Sequence, residues 1–548
     1  MNVRGETRRV ERWRICARIL VGVLMASSVA LLGEGPARPQ LEASTALGPQ
    51  VEARAGLAVQ PRSDARPRSS AALGSLTPEQ RAAAVDAYWG DGAPTDEKLR
   101  IFDEFWQYAD EHFAAFQGID VDWPAVRDRY RPEVAHGVSR GRFAAIMNQL
   151  SLALHDSHSL ALDLSVNVST VPERGVPLFG VSGWVVDTSG ACLTAQDDGS
   201  ALVYSVIQNH PLGLERGDRI LGYDGRPWRD LYRQLLREEL PLWPIWWGSS
   251  RSAYDHTFVM SAGLNWHLFD TMDIAKHGRG NVMHLPTSLM PGPLFYGFCS
   301  EEMAIPGVPK PRYFVGDYVT AGIVDGTRIG YVYAWSWHGN ARDDFAAAIH
   351  ELTQVEHVDG LIIDLRFNEG GFMRAPMDGL AELFSNPTAT IGMDGRRQGG
   401  GHLDMTSVVP PNSFVVDFAY GSGDKVRVTD SYSGPVAVLL GPGAVSAGDI
   451  AAILADFLPR VRTFGKSTSM AVGLPTQPAL GTEIDLGEDW FARVAETNTY
   501  DVGAPNDYLT HAEFRVDESV WLEPNDVAVG EDTVVKAALR WLAREGGG

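Results

Sequence analysis

From residue 328 onward the chain alternates apolar runs that read as buried strands with runs that read as helices. This alternation constrains the fold more than any other feature. "RIGYVYAWS" (328–336) predicts a strand, "ARDDFAAAIHELTQV" (341–355) a helix, and "VDGLIIDLRF" (358–367) an unbroken buried strand. "MDGLAELFS" (377–385) predicts a helix and "GPVAVLLG" (434–441) a strand. Ile450, Ile453, Leu454 and Phe457 then repeat at helical spacing, and "RVRTFG" (460–465) is a further strand. This order defines an α/β layer architecture with crossover units, whose reactive groups gather outside the carboxyl ends of the strands. Asn368-Glu369-Gly370-Gly371 and Gly443 to Ser446 both fall on that edge.

Ser446 opens the helix in "GPGAVSAGDIAAILADF" (441–457) and admits two readings. With Asp449 three residues on, it fits a capping box, serine accepting the amide at the third helical position while the acid reaches back. A serine hydroxyl at a helix start is also close to free amides and the positive end of the helix dipole, which favour a developing oxyanion. This stretch alone leaves cap and nucleophile open.

The remainder of the 548 residues predicts two to four domains. Arginines at 4, 8, 9, 12, 14 and 18 precede an apolar run from Ile19 to Leu32, which reads as a signal peptide over 1–35, with an uncleaved anchor as its alternative. Residues 36–75, rich in Ala, Arg, Pro and Ser, read as a disordered linker. The mature chain is then exported, periplasmic or extracellular, with no membrane span. Residues 76–170 read as a helical part with apolar stripes through Ile101, Phe102, Phe105 and Trp106, ending at His155-Asp156-Ser157-His158. Residues 176–240 carry short strands such as "ALVYSVI" and "DRILGYDG". Residues 241–325, rich in Trp, Pro, Gly and Met, show no period and read as an insertion or lid; 326–545 form the α/β domain. A net charge of −22, from 47 basic and 69 acidic residues, argues against a general nucleic-acid binder. With Cys16 in the leader, Cys192 and Cys299 allow at most one disulfide in the mature chain, and no zinc-type spacing exists.

"GLIIDLRFNEGG" (360–371), followed about 75 residues later by "VAVLLGPGAVSAGDIAA" (436–452), resembles the C-terminal processing (tail-specific) serine peptidases, including their tricorn-core branch. "GLERGDRILGYDGRPW" (213–228) resembles the PDZ-like module that such peptidases carry, and the Phe102 to Val134 stretch resembles the tricorn-like helical part. The resemblance implies a crotonase-like ββα catalytic core, a serine peptidase activity on protein or peptide substrates, and no metal or cofactor. It places Ser446 on the nucleophile. "LHDSHS" (154–159) matches the family's Asp-x-His motif and points to His158, while "DESVWLEPNDVAV" (517–529) puts Glu518 on the glutamate, with Asp517, Glu513 and Glu523 as fallbacks. His155 with His158 as a metal pair is the weaker reading, since no carboxylate–histidine signature surrounds them.

A hydroxyl near its ordinary pKa needs an adjacent base. In the serine–lysine branch that lysine stands twenty-five positions after the serine, where this chain has Ala471; Lys466 in "TFGKS" is the look-alike. The resemblance therefore implies that His158 takes the proton of Ser446 while Glu518 orients the imidazole, with activity falling as His158 protonates near or somewhat below neutrality. Backbone amides at Gly370 or Gly371 and at Ala447 are expected to hold the oxyanion. Amides near Gly180 and Gly183 are expected to receive a substrate's terminal carboxylate. The alternatives are a catalytically inactive peptide- or lipid-binding protein on the same fold, and a Ser446/Lys466 dyad.

Overall fold

The computed structural model describes residues 76–168, 179–180, 189–243, 249–294, 299–300, 303–312, 316–383, 388–416, 432–474, 484–505 and 507–545. The leader and linker expected over 1–75 lie outside the described residues, as does Gly183. Among the described residues no helix is long and apolar enough to cross a membrane.

The N-terminal part is helical: α1 (Pro78–Trp89), α2 (Thr95–His112), α3 (Trp123–His136) and α4 (Arg140–Ala153). Thr77 and Gln80 cap α1 reciprocally, and the Asp122 and Ser139 side chains cap α3 and α4. Ile101, Phe102, Phe105, Trp123, Phe143 and Leu150 are buried together, forming the core that the apolar stripes predict. The short β1 (Leu160–Asp163) leaves this core and pairs antiparallel with β17 (Trp490–Arg493), tying the helical part to a strand far along the sequence.

A second layer follows: β2 (Phe179–Gly180), β3 (Ala191–Ala195), β4 (Ala201–Val206), β5 (Arg219–Tyr223), β6 (Arg226–Pro227), α5 (Trp228–Glu238), β7 (Leu242–Trp243), α6 (Arg251–Leu264), β8 (Thr271–Ala275) and β9 (Val282–Pro286). Strands β3, β4, β5, β8 and β9 make one antiparallel sheet with β6 on β5. The stretch read from sequence as an irregular lid thus supplies α6, β8 and β9 to the layer that precedes it. Its last strand, β10 (Val319–Ile323), joins the catalytic sheet instead. Cys192 and Cys299 form a disulfide with their Cα atoms 5.4 Å apart, tying β3 to that stretch.

The C-terminal layer is β10, β11 (Ile329–Ala334), α7 (Ala341–His350), β12 (Gly360–Asp364), α8 (Ala375–Ala381), β13 (Thr388–Arg396), β14 (Met405–Val416), β15 (Val436–Leu440), α9 (Ala447–Asp456), β16 (Val461–Gly465), β17, β18 (Thr497–Asp501), β19 (Glu518–Ser519), α10 (Pro524–Ala528) and α11 (Thr533–Glu545). The main sheet runs β10-β11-β12-β15-β16-β19, parallel throughout except at β10–β11. Leu361, Ile362 and Ile363 are wholly buried because both faces are covered. Val436, Val438 and Leu440 pack with α7, α8 and α9, whereas Ala437, Leu439 and Phe464 pack with α11. Arg366, just past β12, is fully buried and bonded to Asp364 (2.7 Å) and Asp532 (2.9 Å); Asp532 also accepts the Val534 and Val535 amides that open α11. The strand end is thereby fixed to the C-terminal helix.

Candidate active site

Two segments far apart in sequence meet at the carboxyl end of β12 and β15. The Val445 amide donates to the Asn368 carbonyl at 2.9 Å. Asn368 Nδ2 donates to the Ala334 carbonyl at 2.9 Å, and its Oδ1 accepts the Gly370 amide at 3.0 Å. Gly370 has φ +92°, and a Cβ there would lie 2.8 Å from Ser446 Cβ and 3.1 Å from the Ala447 nitrogen. Gly371 has φ +133°, with its missing Cβ 2.6 Å from the Trp337 carbonyl carbon. Only glycine brings this backbone so close to the serine turn. Because the Gly370 amide is taken by Asn368, Gly371 is the freer of the two expected oxyanion glycines. Among the described residues, neither the Gly371 nor the Ala447 amide has an acceptor.

Ser446 stands at φ 62°, ψ −121°, a region an L-residue enters at a cost of about 1–3 kcal/mol. Its side chain makes no capping bond to α9, which corrects the expected capping box. Asp449 is engaged further along the chain. Its carboxylate takes the Met470 and Ala471 amides at 2.7 and 3.0 Å. Asp449 is fully buried, and burial pushes its carboxyl up to about 7, while the nearby Thr468 side chain and the Met470, Ala471 and Ser446 backbone favour its anion. The backbone at Met470 and Ala471 is therefore anchored by Asp449 while the serine hydroxyl, 4% exposed, is kept out of the cap.

His158 lies on a buried turn between α4 and β1, not in a solvent-facing loop. The turn is tied to the serine turn by a chain of bonds: Ser157 amide to Ser249 Oγ, Ser250 Oγ to the Thr468 carbonyl, Ser250 amide to the Ser469 carbonyl, and Ser469 amide to the Ala444 carbonyl. The Gly473 backbone, two residues beyond the Ala471 that Asp449 holds, lies near enough to the imidazole to favour its cation. Burial, and then the Arg493 charge, lower the imidazole's pKa to about 3, with the Gly473 backbone opposing. The expected loss of activity near neutrality therefore does not belong to this imidazole. His155 stacks at 6.3 Å on Tyr254, and among the described residues no three His, Cys, Asp or Glu are grouped to hold a metal ion.

Glu518 is not brought to that segment. It sits in β19 beside Phe464, 35% exposed, ion-paired with Arg462 at 3.4 Å. Two fallback acids are engaged as well, Asp517 with the Thr463 amide and hydroxyl and Glu513 with the Ser252 amide and hydroxyl, while Glu523 precedes α10 without a side-chain cap bond. Lys466 Nζ reaches the Ala195 carbonyl at 3.4 Å and lies over the Trp521 ring. It lines a cavity of about 380 Å³ beside the serine turn, with Pro442, Ser467, Phe514, Ser519 and Trp521. Gly180 is in parallel register with Trp243. Asp449 and Asp156 were not foreseen as site residues. Asp449 had a signal, a carboxylate in the first turn after a buried serine; the burial of Asp156 depends on strands distant in sequence.

An elbow-like serine, close-packed glycines, amides without acceptors and a buried histidine together fit the chemistry of a serine-type hydrolase. Residues 328–501 match the model of Peptidase family S41, and residues 94–151 match that of the Tricorn protease C1 domain. The C-terminal layer thus matches a serine-peptidase family and the N-terminal helical part a tricorn-type domain. No curated protein matches the chain in sequence. Among solved structures, mature CPAF complexed with lactacystin is similar at TM-score 0.57 and 11% identity, over 82% of this chain and 98% of that one. Mature CPAF alone is similar at TM-score 0.56 and 12% identity, over 82% and 96%. At these identities the likeness is one of fold.

Proposed function

We propose that this protein is an exported serine endopeptidase that cleaves peptide bonds through an acyl-enzyme on Ser446, with His158 as general base. The observation that carries the reading is the strained Ser446 lying against Gly370 beside two amides without acceptors. Ser446 Oγ attacks the peptide carbonyl carbon, and its proton passes to the imidazole and then to the leaving amine. The oxygen that becomes negative is held by the Gly371 and Ala447 amides at the start of α9. Water then resolves the ester. Low basicity keeps the imidazole in its proton-accepting form throughout the neutral range. Glu518 enters this relay only if it leaves Arg462.

Export is supported by the arginine-rich apolar leader and by the Cys192–Cys299 disulfide, which belongs to an oxidising compartment. Substrate engagement through a free C-terminus, at amides near Gly180 and Gly183, is tested by comparing cleavage of peptides with free and amidated ends. The mechanism is tested with unfolded protein substrates and internally quenched peptides. The parent protein is expected to cleave them, Ser446→Ala to be inert, and Lys466→Met to stay within about threefold because its Nζ serves Ala195 and Trp521. Peptide binding without cleavage by the parent would favour the inactive binding protein, and a thousandfold loss in Lys466→Met the serine–lysine dyad.

A further inference from the structure

We propose that Asp156, rather than Glu518, is the carboxylate that orients His158 and balances its charge during turnover. The inference rests on the Ser446–His158 reading above. Asp156 and His158 occupy the same tight turn, closed by the Ser159 amide donating to the Asp156 carbonyl at 3.3 Å. Asp156 is wholly buried, and Oδ2 accepts the Ser159 hydroxyl at 2.6 Å. The His158 backbone favours the anion of this carboxylate, which places it beside the histidine. Its Oδ1 has no hydrogen-bond partner, and neither has His158 Nδ1, which is equally buried.

Two unsatisfied buried atoms, one an acceptor and one able to donate, thus stand two residues apart on one turn. A buried polar atom without a partner is costly, and a single Nδ1–H to Oδ1 bond satisfies both. The consequence for catalysis is the tautomer. While Nδ1 is unpartnered nothing fixes the tautomer, and a proton resting on Nε2 blocks that nitrogen from serving as a base. Pairing Nδ1–H with Asp156 moves the resting proton to Nδ1 and leaves the Nε2 lone pair for Ser446. The serine proton then goes to Nε2, the Oγ–carbon bond forms, and the same proton leaves with the amine as the peptide C–N bond breaks. Asp156 stays ionised and offsets the imidazolium. Arg493 on β17 faces both groups and limits that charge, and the Ser159 and Ser249 hydroxyls favour the carboxylate anion. Burial sets the Asp156 carboxyl at about 6, so an acid limb near that pH reports its protonation. Glu518, partly exposed and held by Arg462, is not among the groups that set the basicity of His158.

The test compares the full chain with Asp156→Asn, Glu518→Gln and His158→Ala, reading kcat and KM for a quenched peptide across pH 4 to 9, with thermal unfolding alongside. Asp156→Asn is expected to lower kcat by about 10³-fold with little change in KM. Its residual rate should lose the acid limb near pH 6, whereas a merely structural role would leave that limb in place. Glu518→Gln should stay within about threefold. Asp156→Asn within tenfold of the parent, or Glu518→Gln down a thousandfold, overturns the assignment. Full activity in His158→Ala removes the underlying reading instead, so the two failures are distinct. If Asp156→Asn does not fold, ¹⁵N shifts of the His158 ring decide in the parent protein phosphonylated at Ser446. A protonated Nδ1 supports the pairing and a bare Nδ1 overturns it.

Discussion

The backbone of Ser446 makes an unusual prediction about stability. At φ 62°, ψ −121° the residue pays about 1–3 kcal/mol of strain, held there with Gly370 packed against its Cβ. Ser446→Ala keeps that strain and loses a hydroxyl that caps nothing, so it should lie within about 0.5 kcal/mol of the parent. Ser446→Gly releases the strain and loses about 0.5–1 kcal/mol to the freedom of the unfolded chain. The difference leaves glycine more stable than alanine by about 1 kcal/mol, the reverse of the usual order beside a helix. Guanidinium denaturation of the two variants, both inactive, reads this directly. Glycine less stable than alanine by about 1 kcal/mol would refute the strain and with it the pre-set nucleophile.

Other expectations follow from the same geometry. Gly370→Ala drives a Cβ to 2.8 Å from Ser446 Cβ at a positive φ, and should cut kcat/KM by about 10²-fold or more while the protein still folds. Arg366→Met leaves Asp364 and Asp532 buried without their cation and should lower stability by about 3–5 kcal/mol in a denaturant titration. Removing the Cys192–Cys299 bond, which closes a separation of 107 residues, should lower stability by about 2–5 kcal/mol, read as a lower Tm. Because the folded pKa of His158 lies below its unfolded value, its contribution to stability is full above about 6.5 and is lost as pH falls toward 3. Asp449 acts oppositely: its raised pKa makes ionisation costly to the fold, and that cost is relieved as pH falls from about 7 toward 4. His158→Gln should therefore flatten the acid side of the stability profile, and Asp449→Asn the side near neutrality.

Much of the catalytic layer was legible because its strands are buried on both faces. Leu361 to Ile363 and Val436 to Leu440 can be read only as interior strands, and the turns that follow them meet as expected at Gly370 and Ser446. Strands β9 and β10 were illegible for the opposite reason. Val282–Pro286 alternates exposed with half-buried residues at a sheet edge, and Val319–Ile323 is half-buried along its length, so neither shows the strong contrast that marks a strand. The capping box did not form, because a sequence pattern cannot tell that Asp449 holds Met470 and Ala471 while the serine side chain stays out. Burial at 156–158 was equally hidden: it comes from Arg493, Gly473 and Ser249, all distant along the chain. Glu518 was placed by motif alone, and Arg462 engages it through strand pairing that the motif does not encode.

The central claim is that Ser446 is a nucleophile activated by His158. Its most direct test is to treat the full chain with a fluorophosphonate and locate the adduct by peptide mass spectrometry. The account predicts one adduct, on the peptide containing Ser446, absent from His158→Ala and preserved in Lys466→Met. No adduct on Ser446, or labelling unaffected by loss of the imidazole, would contradict it.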